Sequence, residues 1–136
     1  MKIMAIDYGD ARIGLSVSDP FGFMAGESWT LEEWNAERAA DTITAEANSR
    51  GVERFVLGFP KNMDGTLGPR AEKSQSFAEL LRAKSGKEVI LWDERRTTID
   101  AHRILTDAGK HGKKRKKVVD AVAASLILEG YLESLK

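Results

Sequence analysis

Residues 2–18 read Lys-Ile-Met-Ala-Ile-Asp-Tyr-Gly-Asp-Ala-Arg-Ile-Gly-Leu-Ser-Val-Ser. An apolar run ends at Asp7, the turn-forming segment Tyr8–Ala11 follows, and polar and apolar side chains then alternate. This pattern predicts a β-hairpin with strands at Lys2–Asp7 and Arg12–Ser18. The hairpin carries a carboxylate, that of Asp7, at the end of an otherwise apolar strand.

Two further carboxylates occur in apolar runs. Glu94 follows the strand-like run Val89–Trp92, and Asp120 interrupts the run Val118–Ala124. An isolated ionised carboxylate in apolar surroundings is costly unless it is paired or bound to a metal ion. A shared divalent cation would satisfy all three acids, so Asp7, Glu94 and Asp120 are the candidate metal ligands.

The length and composition of the chain limit the number of domains, the kinds of site and the compartment to be expected. A chain of 136 residues suits one domain, 1–136, with its own hydrophobic core. The absence of cysteine removes disulfides, thiolate metal sites and cysteine nucleophiles, and favours a reducing compartment such as the cytoplasm. No apolar stretch approaches the length of a membrane span or a secretory signal, so we expect no membrane partner.

Positive charge is unevenly distributed, although 21 basic residues balance 21 acidic ones. Residues 110–117 read Lys-His-Gly-Lys-Lys-Arg-Lys-Lys, shortly before Asp120. Such runs are commonly only solvated, but a substrate phosphate backbone must pass close to bound metal ions. We therefore expect this block to contact nucleic acid, and its glycines predict a mobile loop that orders on substrate. The basic side chains concerned are Lys113, Lys114, Arg115 and Lys116.

Periodicity predicts the order of the remaining elements. They are a short strand near Glu27–Leu31, a helix at Ala36–Ser49 ended by Gly51, a strand at Val52–Gly58, a loop at Phe59–Pro69, a helix at Arg70–Lys84, a strand at Lys87–Trp92, a helix from Thr97 to about Ala108 and a last helix from about Lys117 to Leu135. The alternation of strands and helices predicts parallel pairing in the second half. Trp29, Trp34 and Trp92 are expected to pack within the fold rather than stack on bases.

The last predicted helix should turn Asp120 toward the sheet. Ala123, Ala124 and Ile127 follow Asp120 at helical spacing, which places the acid on an apolar stripe. Small alanines on this helix would also let it approach the sheet closely.

This order of elements resembles the ribonuclease H-like fold, and five motifs in order resemble those of the YqgF (RuvX) family. The motifs are Asp7–Gly14, Gly58–Gly65, Gly68–Ala71, Asp93–Thr98 and Lys113–Ala124. The resemblance implies an α/β fold with a mixed five-stranded sheet and flanking helices. It also implies a bacterial nuclease related to Holliday-junction resolvases, with a family role in maturing the 5′ end of 16S ribosomal RNA. Two departures, Ala11 for a usual basic residue and Arg96 for a usual leucine, leave the acids untouched.

The three acids are suited to phosphodiester hydrolysis with bound metal ions. Two Mg²⁺ or Mn²⁺ ions held by carboxylates can stabilise the charge that develops on the attacking and leaving oxygens. Asp7 would bridge the ions, and Glu94 and Asp120 would hold one each. Adjacent strand residues point to opposite faces, so only one of Asp93 and Glu94 can normally join Asp7. We prefer Glu94 and keep Asp93 as the alternative. Further candidate substrate contacts are Arg12, Asn62 and Arg70.

Three classes of function remain open. The first is a metal-dependent nuclease that acts on structured RNA, in a ribosomal precursor particle, in preference to four-way DNA junctions. A junction resolvase would need two coordinated cuts, normally from a symmetric dimer, and the sequence leaves a homodimer open. The second class is a non-catalytic nucleic-acid-binding module of ribosome assembly. The third, an actin-like phosphotransferase, is disfavoured because the chain is too short for two lobes around a nucleotide.

Overall fold

A computed structural model describes residues 1–60, 64–93 and 112–135, with the backbone alone over 112–117. The strands are β1 (Ile3–Tyr8), β2 (Arg12–Ser18), β3 (Ala25–Glu32), β4 (Arg54–Phe59) and β5 (Glu88–Asp93), and the helices are α1 (Ala36–Arg50), α2 (Pro69–Ser85) and α3 (Gly112–Ser134). Apart from the start of α3, the predicted bounds of these elements lie within about two residues of the observed ones.

The strands form a mixed sheet in the order β3-β2-β1-β4-β5. The first three strands pair antiparallel, whereas β4 pairs in parallel with both β1 and β5. The predicted hairpin and the predicted parallel half are therefore both confirmed. Strand β1 lies at the centre of the sheet, hydrogen-bonded on both sides.

Helices cover both faces of the sheet. The α1/α2 face buries alternate strand residues that include Met4 and Ile6. On the other face, Ile3 and Ala5 pack in a cluster with buried residues of α3. Since side chains alternate along a strand, Asp7 is in phase with Ile3 and Ala5 and belongs to the α3 face.

Helix α3 is described from Gly112 onward, so the prediction of a mobile loop over the basic block is wrong for the backbone of residues 112–117. Residues 113–117 continue the helix that contains Asp120. Lysine and arginine are good helix formers, and their propensity outweighs the expectation that Gly112 would end regular structure. The basic residues therefore lie on the same helix as one of the candidate acids.

The tryptophan prediction is confirmed at two positions and wrong at the third. Trp29 packs against the core on the α1/α2 face, with the Arg50 guanidinium 4.2 Å from its ring centroid. Trp92 meets Tyr131 edge to face, with their ring centroids 6.0 Å apart. Trp34 is 80% exposed because it falls in the connection between β3 and α1 rather than on a core-facing element.

The helix predicted from Thr97 to Ala108 lies outside the described residues. In the part of the chain that is described, no helix combines the length and the apolar character needed to cross a bilayer.

Candidate active site

The close approach of α3 to the sheet brings Asp120 beside Asp7. Asp7 is paired with Gly14 across the two antiparallel strands β1 and β2. The backbone of α3 passes so near Gly14 that a β-carbon on this residue would collide with the carbonyl oxygen of Asp120. Directly paired residues project from the same face of a sheet, so the two acids meet on the α3 face.

The closeness of the two acids affects the ionisation of Asp120. Burial of the carboxyl group and repulsion from Asp7 raise the pKa of Asp120 from 3.8 to about 6, against the opposing attraction of Arg12 and Arg70. Its side chain is 21% exposed. Two carboxylates in one partly buried place repel each other, and a bound cation would relieve that repulsion.

Arg12 forms an ion pair with Asp120 that leaves both groups incompletely satisfied. The Arg12 Nε and Asp120 Oδ2 atoms are 3.3 Å apart, but they are not aligned for a hydrogen bond. Both atoms are buried and lack a hydrogen-bond partner among the described residues. Buried polar atoms are nearly always paired, so their coincidence here indicates a place for a ligand. The carboxylate oxygens fit a hard divalent cation such as Mg²⁺.

A cavity of about 300 Å³ opens beside this ion pair. Its lining residues are Tyr8, Gly9, Asp10, Ala11, Arg12, Arg70, Lys73 and Asp120. The sequence reasoning missed Lys73, whose Nζ lies 3.0 Å from Asp10 Oδ1. The sequence did indicate Lys73, because it follows Arg70 by three positions on a predicted helix and such residues share a helix face. The cavity thus combines three cationic side chains with the acid of α3.

The structure brings together four of the predicted residues, Asp7, Arg12, Arg70 and Asp120. Asp93 ends β5 in register with Phe59, in phase with Val89 and Leu91 of the α1/α2 face. Alternation therefore places Asp93 on the face opposite to Asp7.

The other six predicted residues fall outside the part of the chain whose side chains are described. Those outside the described residues, or described by backbone alone, are Asn62, Glu94, Lys113, Lys114, Arg115 and Lys116. In residues 1–60, 64–93 and 112–135, no three acidic, histidine or cysteine side chains form a metal-binding group. The predicted third acid is not among those residues.

Replacing Asp120 by asparagine is expected to stabilise the metal-free protein. The folded-state pKa is raised from 3.8 to about 6, so ionisation of this group destabilises the fold. Its penalty is absent below the unfolded pKa, grows between the two values and is complete above about 6. Two units of pKa correspond to roughly 2–3 kcal/mol, which is the upper limit of the gain at neutral pH.

Urea unfolding of wild type and Asp120→Asn, with a chelator present and as a function of pH, measures this effect. The gain should shrink as the pH falls through the window between the two pKa values. Asp41→Asn removes an exposed acid, paired with Lys84 at 3.0 Å, and serves as the control without a gain. An Asp120→Asn variant no more stable than wild type at neutral pH would contradict the electrostatic account.

Comparison with known proteins identifies, over nearly the whole chain, the family that the sequence motifs resemble. Residues 1–134 match the family model described as RuvX, Holliday junction resolvase. The chain is 42% identical over 135 residues to a protein of Clostridium tetani, covering 99% of this chain and 98% of that protein. It is 45% identical over 132 residues to a protein of Halothermothrix orenii, covering 97% and 94%. Both are named "Putative pre-16S rRNA nuclease".

A solved structure confirms the predicted ribonuclease H-like fold. T. thermophilus RuvC in complex with a Holliday junction substrate is similar with a TM-score of 0.64 and 12% sequence identity. The likeness covers 100% of this chain and 97% of that one.

Proposed function

The chain belongs to the RuvX Holliday junction resolvase family of nucleases, and from this premise we propose that it is a metal-dependent endonuclease that matures the 5′ end of pre-16S rRNA. One observation carries the proposal: Asp7 and Asp120 meet on one face of the sheet, beside a cavity with three cationic side chains. The names of the curated relatives support RNA as the substrate. This role would place the chain, as one nuclease domain, on ribosomal precursor particles in the cytoplasm.

The acids would hold the metal. Asp7 and Asp120, with Glu94 from outside the described residues, are the proposed ligands of two Mg²⁺ or Mn²⁺ ions. Such ions would stabilise the negative charge that develops during phosphodiester hydrolysis. The buried Oδ2 atom of Asp120, which accepts no hydrogen bond from the described residues, supports the assignment.

The cations would bind the substrate. Arg12, Arg70 and Lys73 line the cavity and would contact phosphate oxygens on either side of the cleaved bond. Arg12 balances part of the charge of Asp120 in the metal-free protein, and a bound cation would leave its guanidinium available to a phosphate.

The basic start of α3 would extend this contact. At about 1.5 Å of rise per helical residue, Lys113 and Lys116 lie only ~10 Å and ~6 Å from Asp120 along the helix axis. Lys114 and Arg115 share this turn of helix, and Asn62 completes the proposed set of substrate contacts.

A second candidate function is resolution of four-way DNA junctions, which the description of the matching family model favours. Resolution requires two coordinated cuts, for which the protein would have to form a symmetric dimer. Sedimentation of the protein with and without junction DNA measures this requirement directly.

The test compares two substrates. Purified protein is incubated with Mg²⁺ or Mn²⁺ and either a 5′-extended 16S precursor RNA, naked or in precursor particles, or a synthetic four-way DNA junction. Cleavage of the RNA in either form is the expected result. Cleavage of the junction alone would replace the proposal by the second candidate. Binding of RNA without any cleavage would favour an assembly module instead.

A further inference from the structure

Trp34 is the most exposed of the large hydrophobic side chains in the described residues, at 80%. Tryptophan is highly buried on average, because its large apolar surface gains from leaving water. An isolated apolar residue at a surface needs no explanation by itself. Two further observations, the position of Trp34 and the rigidity of its backbone, indicate that its exposed ring binds a ligand.

Trp34 lies at the same end of the sheet as the candidate active site. The backbone N–H of Glu33 donates to the carbonyl oxygen of Ala11 at 3.0 Å, and Ala11 lines the 300 Å³ cavity. Two strand spacings separate β3 from β1, which amounts to about 10 Å. At about 3.4 Å per stacked nucleotide, a few nucleotides span that distance.

The backbone around Trp34 is held on both sides. The Glu33 carboxylate accepts the N–H of Asn35 at 3.1 Å and forms an ion pair with Arg38. The side chain of Asn35 in turn accepts the N–H of Arg38 at 2.9 Å and caps α1. An aromatic ring presented on a fixed backbone loses little conformational entropy when a ligand stacks on it.

A second cavity extends from the active-site cavity to the start of α1, which follows Trp34 closely in the chain. This cavity, of about 520 Å³, shares Tyr8, Asp10 and Lys73 with the first. It also reaches Ala36, two residues after Trp34. Its apolar lining includes Pro69, Phe77 and Leu80. Such a surface suits nucleobases better than it suits phosphates.

We propose that Trp34 stacks on an unpaired nucleobase of the substrate, a few nucleotides from the cleaved bond, so that the enzyme selects cleavage sites beside single-stranded segments. The inference rests on the proposed nuclease function and narrows its substrate. Paired bases are stacked on each other within a helix, whereas unpaired bases are free to stack on protein aromatics. Trp34 would therefore discriminate between paired and unpaired RNA, which the phosphate contacts cannot do.

Binding measured by fluorescence anisotropy tests the proposal. The probes are a labelled single-stranded RNA and a blunt RNA duplex of the same sequence, in Ca²⁺ or chelator to prevent cleavage. Trp34→Ala is expected to weaken single-strand binding about tenfold, the scale measured for base–aromatic stacking, and to leave duplex binding within about twofold of wild type. Trp34→Phe keeps an aromatic face and should retain most of the affinity.

Phe21 provides the matched control. It is 78% exposed but precedes β3, so the length of that strand, roughly 25 Å, separates it from Trp34. Phe21→Ala should bind both probes like wild type. Thermal unfolding should show that both alanine variants remain folded, because neither side chain is buried.

The outcomes separate this inference from the proposed function. Trp34→Ala binding that equals Phe21→Ala binding, or that falls equally for duplex and single strand, would overturn the stacking role. If wild type cuts no substrate but Trp34→Ala still selectively loses single-strand binding, the nuclease assignment fails and the recognition of unpaired bases stands. If wild type cuts RNA, the loss in kcat/KM for Trp34→Ala should be confined to substrates with unpaired nucleotides beside the cut.

Discussion

Asp7→Asn is expected to lower the metal-dependent rate of RNA cleavage by at least about 1,000-fold, while RNA binding stays within about threefold of wild type. Asp7 ends the apolar part of the central strand β1, on the face that α3 covers. An asparagine amide fills nearly the same volume but carries no negative charge. The variant therefore keeps the shape of the site and loses the proposed bridging ligand.

Loss of activity through unfolding is not expected for this variant. Asp7 is one cause of the raised pKa of Asp120, so removal of its charge relieves repulsion within the folded protein. Single-turnover cleavage across a titration of Mg²⁺ or Mn²⁺, together with thermal unfolding, measures both quantities. Asp41→Asn, on the exposed surface of α1, is the control that should cleave like wild type. An Asp7→Asn enzyme within tenfold of the wild-type rate would remove Asp7 from the catalytic assignment.

The face on which Asp7 lies could be predicted because two strong local signals agree. The apolar run and the turn around Gly9 predict the hairpin, and the period of two along a strand then fixes the face of each side chain. The same reasoning predicted that Gly51 ends α1, and the structure gives this residue the left-handed φ of 73° that favours glycine. Both of these signals are confined to residues that are neighbours in the chain.

Features that depend on tertiary placement could not be predicted in the same way. Lys73 and Asp10 are 63 positions apart in sequence, and only the packing of α2 beside the hairpin brings them together. Trp34 has the composition of a core residue, yet it falls just beyond a strand end, and its exposure depends on where that strand stops. The start of α3 was missed for a local reason instead, because the helix propensity of the basic run outweighs the helix-breaking effect expected of Gly112.

The close contact between α3 and the sheet is a further feature of this kind. The sequence indicated that small alanines on the helix would let it approach closely. The structure adds that the sheet contributes a glycine at the point of contact, Gly14, directly opposite Asp7. The geometry of the acids therefore depends on a residue that carries no chemistry of its own.

Gly14→Ala is accordingly expected to lower the free energy of unfolding by about 2–4 kcal/mol and to reduce cleavage by at least about tenfold. The added methyl group would overlap the carbonyl oxygen of Asp120, a backbone atom that cannot rotate away as a side chain could. Relief requires α3 to move off the sheet, which separates Asp120 from Asp7. Stability and activity should therefore fall together, although no polar group has been removed.

Gly26→Ala on β3 is the matched control, because a β-carbon there would lie 3.1 Å from the carbonyl oxygen of Val17 and needs only a small adjustment. It should cost less than about 1 kcal/mol and leave cleavage close to wild type. Urea unfolding and single-turnover cleavage of both variants test the prediction. A Gly14→Ala protein as stable and as active as Gly26→Ala would show that α3 can shift without disturbing the acids, and that the close helix–sheet contact does not set their positions.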